Sequence, residues 1–278
     1  MTPSPPRIAD IMTTDLLYYD EGCAAECYRF CRQRDIDCLP AIGDSIYFYR
    51  RDDAHGGFLQ DWVTEDRLVD AQTSIFKSDL LERFRRQPVQ FVFDHGEPAG
   101  VVHFSDYNRG PVSAYLYAQL TAYEQSLRDL AVVNKLEPKH MSAYLDDMAR
   151  ATEGTDDHSY YKGRGRLLIR KAGRMPQANP FQVYDLHDLI GMTSYRGSLA
   201  LSFDVVELQY MVMRLNRLAD GADPAADDLY IFDFATFETF FNRALLLLND
   251  SRRVRNRQAI QTGLAAGGES WWRRMFRL

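Results

Sequence analysis

Two stretches carry residue types and spacings that could do chemistry. The first is Gly100-Val101-Val102-His103-Phe104-Ser105-Asp106. Here a short apolar run ends in a histidine, a hydroxyl and a carboxylate. Ligands of α/β units bind just beyond strand ends, and an ionised carboxylate offers two acceptor oxygens to adjacent hydroxyls. The same Asp106 could instead cap a turn before Gly110-Pro111. The second stretch is Arg252-Arg253-Val254-Arg255-Asn256-Arg257, a cation cluster suited to phosphate. Residues 251–278 hold seven arginines and one acid, a local +6 in a chain of net charge −6. A solvated last helix explains this as well as an anion site does.

A third group, Cys23, Cys27 and Cys31 with Cys38 nearby, invites a metal reading. Sulfurs at i, i+4 and i+8 on one helix step by about 6 Å each, too wide for one tetrahedral ion. They read as small buried hydrophobes, and no metal is expected.

The elements that must position these groups follow from periodicity. Length and composition allow two domains of a globular protein. No apolar run reaches membrane-span length, and the N-terminal residues show no signal pattern. The expectation is a cytoplasmic protein with reduced thiols.

Leu16 to Tyr19 predicts a short strand, Cys23 to Arg34 a helix, and Cys38 to Ile42 and Asp44 to Arg50 strands. After the polar turn Asp52 to Gly57, an apolar rhythm returns over Phe58 to Leu68. Thr73-Ser74-Ile75 predicts an extended piece. Ser78 or Asp79 caps a helix bearing Leu80, Leu81 and Phe84. Pro88 to Phe93 and Ala99 to Phe104 then form a hairpin around Asp94-His95-Gly96-Glu97. Strand, helix, strand, turn, strand occurs twice in about 100 residues, which implies two copies packed face to face.

From Pro111 the pattern is helical. Val112, Leu116, Leu120, Tyr123, Leu127 and Leu130 form one stripe to Val133. Pro138 opens a second helix, and residues 152–180 give no defined element beyond a short buried Leu167-Leu168-Ile169. Asn179-Pro180 starts another helix. Ser202 caps one from Phe203 to Ala219, ended by Gly221, and Phe232 to Asn249 is strongly apolar. Ser251 caps the last helix. About six helices make a bundle. The fold class expected is therefore α+β multidomain, with an N-terminal α/β unit over 1–108 and an all-α bundle over 109–278.

Ile8-Ala9-Asp10-Ile11-Met12-Thr13, Cys38-Leu39-Pro40-Ala41-Ile42 and the stretch ending in Asp106 together resemble a CBS-domain pair over residues 7–108. The resemblance implies an adenosine ligand (AMP, ADP, ATP or S-adenosylmethionine) in the cleft between copies, with no covalent cofactor. Pro40, Val102, His103, Ser105 and Asp106 would contact it, Asp106 accepting from the ribose hydroxyls. His103 stands where the family has Ser or Thr. In the first copy Thr64 and Asp66 are the nearest equivalents, so at most one intact site is expected.

Val254-Arg255-Asn256-Arg257-Gln258-Ala259-Ile260 resembles the HEPN signature of metal-independent ribonucleases. It matches at Arg255, Asn256 and Ala259, while Ile260 fills the proton-transfer His position. None of the six histidines lies in this helix. The resemblance implies a non-catalytic member whose Arg252, Arg253, Arg255, Asn256 and Arg257 meet RNA or a partner protein. The alternative is a ribonuclease working through Arg255 and Asn256.

The tail Trp271-Trp272-Arg273-Arg274-Met275-Phe276-Arg277-Leu278 mixes aromatics and cations, and its default role is a clasp between domains or in a dimer. The function expected is regulatory: a nucleotide-sensing CBS pair, homodimeric, that modulates a HEPN-like helical domain. A purely structural homodimer with no ligand is a further alternative.

Overall fold

The computed structural model describes residues 4–34, 36–42, 47–174, 179–197, 199–219 and 229–265. Among them are eight α-helices and two three-stranded sheets, a mixed α+β architecture. The chain forms two compact units, one on Pro3–Tyr115 with Gly221–Phe241, the other on Leu116–Asp220 with Asn242–Leu278. The first unit thus runs past the expected boundary at residue 108 and takes in a later segment.

In the first unit, α1 (Ala24–Arg34) follows a turn in which the Asp20 carboxylate accepts the Gly22 N–H at 2.8 Å. Its Cys27 and Cys31 are buried against Leu39, which fits their reading as small hydrophobes. Strands β1 (Cys38–Pro40), β2 (Tyr47–Asp52) and β3 (Gly57–Trp62) form an antiparallel sheet, with Leu39 opposite Tyr49 and Tyr49 opposite Gln60. The expected strand at Leu16 to Tyr19 reduces to one parallel bridge, Tyr19 to Ala41.

The second sheet pairs β4 (Leu68–Asp70) parallel to β5 (Val89–Asp94), and β5 antiparallel to β6 (Glu97–His103). Helix α2 (Asp79–Arg86) connects β4 to β5. The extended piece expected at residues 73–75 appears as one antiparallel bridge, Ser74 to Arg7, with the Ile8 N–H donating to the Thr73 carbonyl at 2.8 Å and the Ile75 N–H to the Pro6 carbonyl at 3.0 Å; the parallel partner of β5 is Leu68–Asp70. His95 and Gly96, at φ 51° and 88°, close the β5–β6 hairpin; positive φ at both central residues is what a two-residue turn needs to match strand twist.

The recurrence expected from the sequence is visible in connectivity. Tyr19, α1, β1 and β2 repeat the order and pairing sense of β4, α2, β5 and β6: a parallel partner, a helix, then an antiparallel neighbour. Below the second sheet, Phe84, Phe104, Tyr107, Phe237 and Phe241 form an aromatic core, and the buried Tyr107 hydroxyl donates to the Ile75 carbonyl at 2.5 Å. Edge-to-face and offset-stacked pairs of this kind add stability beyond their buried area.

Six helices follow: α3 (Gly110–Val133), α4 (Pro138–Ala151), α5 (Asp156–Arg174), α6 (Leu186–Tyr195), α7 (Val205–Ala219) and α8 (Phe234–Ala265). The stripe on α3 is buried as its spacing predicts. Four expectations change. Much of residues 152–180 is helical, as α5. The helix expected from Asn179 starts at Leu186, where the Asp185 carboxylate accepts the Asp188 N–H at 3.1 Å. Asp204, not Ser202, caps α7, accepting from Val206 and Glu207. Ser251 opens no helix: it is buried inside the continuous α8. Its neighbour Asp250, 1% exposed, accepts the backbone N–H groups of Ser202 and Phe203. Gly221 and the Trp/Arg tail lie outside the described residues.

Candidate functional site: a cleft in the first unit

Alternation along β6 decides which residues can meet a ligand. Successive side chains point to opposite faces, so Val101 and His103 face one side while Val102 turns into the core, 0% exposed. The chain then tightens into a short 3-10 turn, Phe104–Asn108. The Asp106 carboxylate accepts the His103 N–H at 2.8 Å, and its other oxygen meets Arg109 at 2.8 Å. The partly buried Asp106 carboxylate thus caps this turn and pairs with Arg109.

His103 and Asp106 line a cleft of about 520 Å³ with Pro40, Phe30, Asp15 and Asp37. This volume lies within the range of small-molecule sites. Three of the five expected ligand residues meet here: Pro40 from β1, His103 from β6 and Asp106 from the turn after it. Val102 is in the core, and Ser105 does not line the cleft; its hydroxyl and N–H are bonded to His103 Nδ1 at 2.7 and 3.2 Å. Thr64 and Asp66, the first-copy equivalents, bond to each other at 2.5 Å outside the cleft.

The electrostatics follow from burial. Desolvation holds the His103 imidazole below its ordinary pKa, with Asp37 opposing. Because the Ser105 N–H donates to Nδ1, the proton of the neutral ring sits on Nε2. Desolvation raises the Asp106 carboxyl, opposed by the His103 N–H and by Arg109. Burial pushes the Cys38 thiol, also on the cleft, up to about 11, so it stays protonated.

The α8 cluster lies in the second unit. Arg252, Arg253, Asn256 and Arg257 are exposed, and Arg255 is half-buried. Arg253 donates to the Ala200 carbonyl at 2.6 Å and sits 3.3 Å from Asp250, so part of its role is structural. Arg255 Nε turns back to the Ser251 carbonyl at 3.2 Å. Ile260, at the signature's His position, is 43% exposed.

Two features of the second unit had no sequence signal. Ligand atoms of Asp185, His187 and Asp188 come within 4.8 Å of one another, a spacing a metal ion could use. The Arg164 guanidinium, however, pairs with both carboxylates and supplies the positive charge itself. Nearby, an apolar groove of about 700 Å³ runs between α3, α6 and α7, floored by Leu120, Leu186 and Leu208. No family model matches the chain, and no curated protein and no solved structure matches it.

Proposed function

We propose that the protein is a regulatory sensor in which the first unit binds an adenosine compound and a HEPN-like, non-catalytic helical region responds by binding RNA or a partner protein. The observation that carries this reading is the cleft. It gathers Pro40 with His103 and Asp106, all of which the CBS resemblance names, Pro40 lying more than sixty positions before the other two in sequence. The repeated connectivity of the two sheets supports it further. Asp106 retains the acceptor capacity the role needs. Two of its roughly four lone-pair sites are used, by His103 and Arg109, leaving two for a vicinal diol.

Regulation has a covalent route. Asp106 lies in the turn that leads into α3 at Gly110, and α3 contributes to both compact units. A ligand that orders residues 103–109 therefore acts at the root of a 24-residue helix. The reading includes a two-fold homodimer, which a monomer mass in light scattering at micromolar concentration would exclude.

The test is thermal unfolding with adenosine compounds. At about 100 times the dissociation constant, binding to the folded state adds about 2.7 kcal/mol, a shift of several degrees for a domain this size. Asp106→Ala removes most of the shift. No shift with any adenosine compound at millimolar concentration overturns the proposal.

A further inference from the structure

We propose that the exposed face of α5 docks the protein on an anionic lipid surface, its cations meeting phosphate headgroups and its exposed apolar side chains entering the interface. The face shares no residue with the cleft of the first unit or with the α8 cluster.

Residues 158–184 hold six lysines and arginines and no acid, in a chain whose net charge is −6. One of the six, Arg164, turns inward to Asp185 and Asp188. Lys162, Arg166 and Arg170 are exposed, and at four-residue spacing they stack along one side of α5, about 6 Å apart. Tyr160, Gly163, Leu167 and Lys171 follow one another at steps of three or four and form the adjoining strip. It too is exposed, Tyr160 at 45% and Leu167 at 37%. Leu168 faces the other way and is buried.

These cations are available. Others in the same unit are held by nearby acids: Lys139 by Glu137 at 2.7 Å, Arg150 by Asp147, and Arg253 by Asp250 at 3.3 Å. Among the described residues, Lys162, Arg166, Arg170 and Lys171 form no ion pair or hydrogen bond. Such a cluster on a helix face is drawn to the negative potential of an anionic leaflet.

Shape and composition favour a lipid surface over a nucleic-acid strand. Strand binders run the backbone along a positively charged groove. None of these cations lines the cleft of the first unit or the groove between α3, α6 and α7. The α5 face presents its cations outward around a leucine, which has no base-stacking surface but suits the headgroup and acyl boundary. Gly163, in the middle of that strip, has nothing within 4 Å of a β-carbon position, so no side chain of its own holds headgroups off the helix.

The experiment is cosedimentation of the full-length protein with vesicles of phosphatidylcholine alone, and of phosphatidylcholine and phosphatidylserine in equal parts. Binding is expected to the mixed vesicles only, and to fall as salt rises. Lys162→Ala, Arg166→Ala and Arg170→Ala should each weaken it roughly fivefold, at about 1 kcal/mol per cation near an anionic surface. Leu167→Gln keeps every charge and should still weaken it several-fold, which attraction between charges alone would not produce. Lys139→Ala, at an exposed cation of α4, should change nothing. The wild-type comparison of the two vesicle types stands by itself should a variant fail to fold. No binding to the mixed vesicles, or equal binding to both kinds, overturns the inference. So does undiminished binding when Lys162, Arg166 and Arg170 are all replaced by alanine. Loss of RNA binding in that triple variant, with no vesicle binding by the wild type, assigns the face to nucleic acid and overturns it as well.

Discussion

A β-carbon on Gly100 would lie 2.5 Å from the carbonyl oxygen of Thr13. The two backbones are paired there, Thr13 N–H to Val101 O at 2.8 Å and Val101 N–H to Thr13 O at 3.0 Å. This contact seats the segment that brings Thr13, Asp15 and Leu16 to the cleft wall. Glycine is thus required at position 100 by close approach, since backbone atoms cannot move aside as a flexible side chain can.

Gly100→Ala is therefore expected to destabilise the protein by about 1–3 kcal/mol, the range for overpacking, and to weaken ligand binding. Gly110→Ala is the control, because a β-carbon there meets nothing within 4 Å. Urea unfolding reads both. Equal midpoints for the two variants would contradict the close-approach argument.

His103 sets a pH dependence whose sign follows from its depressed pKa. Between its folded value and the ordinary 6.5, the unfolded chain binds a proton that the folded protein does not. Stability from this group is then complete above about pH 6.5 and is lost as pH falls through the folded value. Asp106 acts oppositely: its raised carboxyl makes stability fall as pH climbs from its ordinary 3.8 through the folded value. In His103→Asn the side-chain oxygen can still accept the Ser105 N–H, but nothing titrates. Urea unfolding across a pH series should show a shallower slope just below pH 6.5 in the variant. Identical slopes would refute the assignment.

Much of this architecture was legible because local signals agreed with the fold. Gly110-Pro111 and the stripe from Val112 to Leu130 mark α3, and His95-Gly96 marks the hairpin. The failures occurred where tertiary partners outweighed local preference. Gly163, Gly165 and a run of cations blur the period of α5, which Arg164 ties to Asp185 and Asp188 on α6. Ser251 looks like a helix cap, yet with Asp250 it is buried mid-helix, where Asp250 holds the Ser202 and Phe203 N–H groups. In the cleft, Pro40, His103 and Asp106 were readable from a motif. Asp15, Phe30, Asp37 and Phe91 were not, because only folding brings them to the same wall.

The Arg164–Asp188 pair gives the second unit a sharp test. Asp188 is 1% exposed and Arg164 15%, with Nη2 2.6 Å from the Asp188 carboxylate. Removing one partner of a buried pair leaves an uncompensated charge and costs about 3–5 kcal/mol. Arg164→Leu is expected in that range, and Arg164→Leu combined with Asp188→Asn should recover a large part of it. A double variant as unstable as the sum of the single ones would show that the two side chains are not coupled.

Variants at the exposed arginines of α8 test the proposed RNA binding separately from RNA cleavage. Arg252 and Arg257 are exposed, so Arg252→Ala and Arg257→Ala should weaken RNA binding without changing the melting temperature. Each arginine that meets a phosphate contributes about −0.7 to the logarithmic salt slope on single strands, and its variant should lose that amount. Arg253→Ala should also lower stability, by about 1 kcal/mol, because the bond to the Ala200 carbonyl is lost. Cleavage is not expected: Ile260 cannot transfer a proton, and positioned acid–base catalysis supplies about 10²–10⁴ in rate. Purified protein with structured and unstructured RNA in EDTA decides the matter. Cleavage that disappears in Arg255→Ala would establish a ribonuclease in place of the non-catalytic reading. Binding without cleavage, lost as salt rises, is the expected result. Neither binding nor cleavage would leave the cluster as a protein-docking or solvated face.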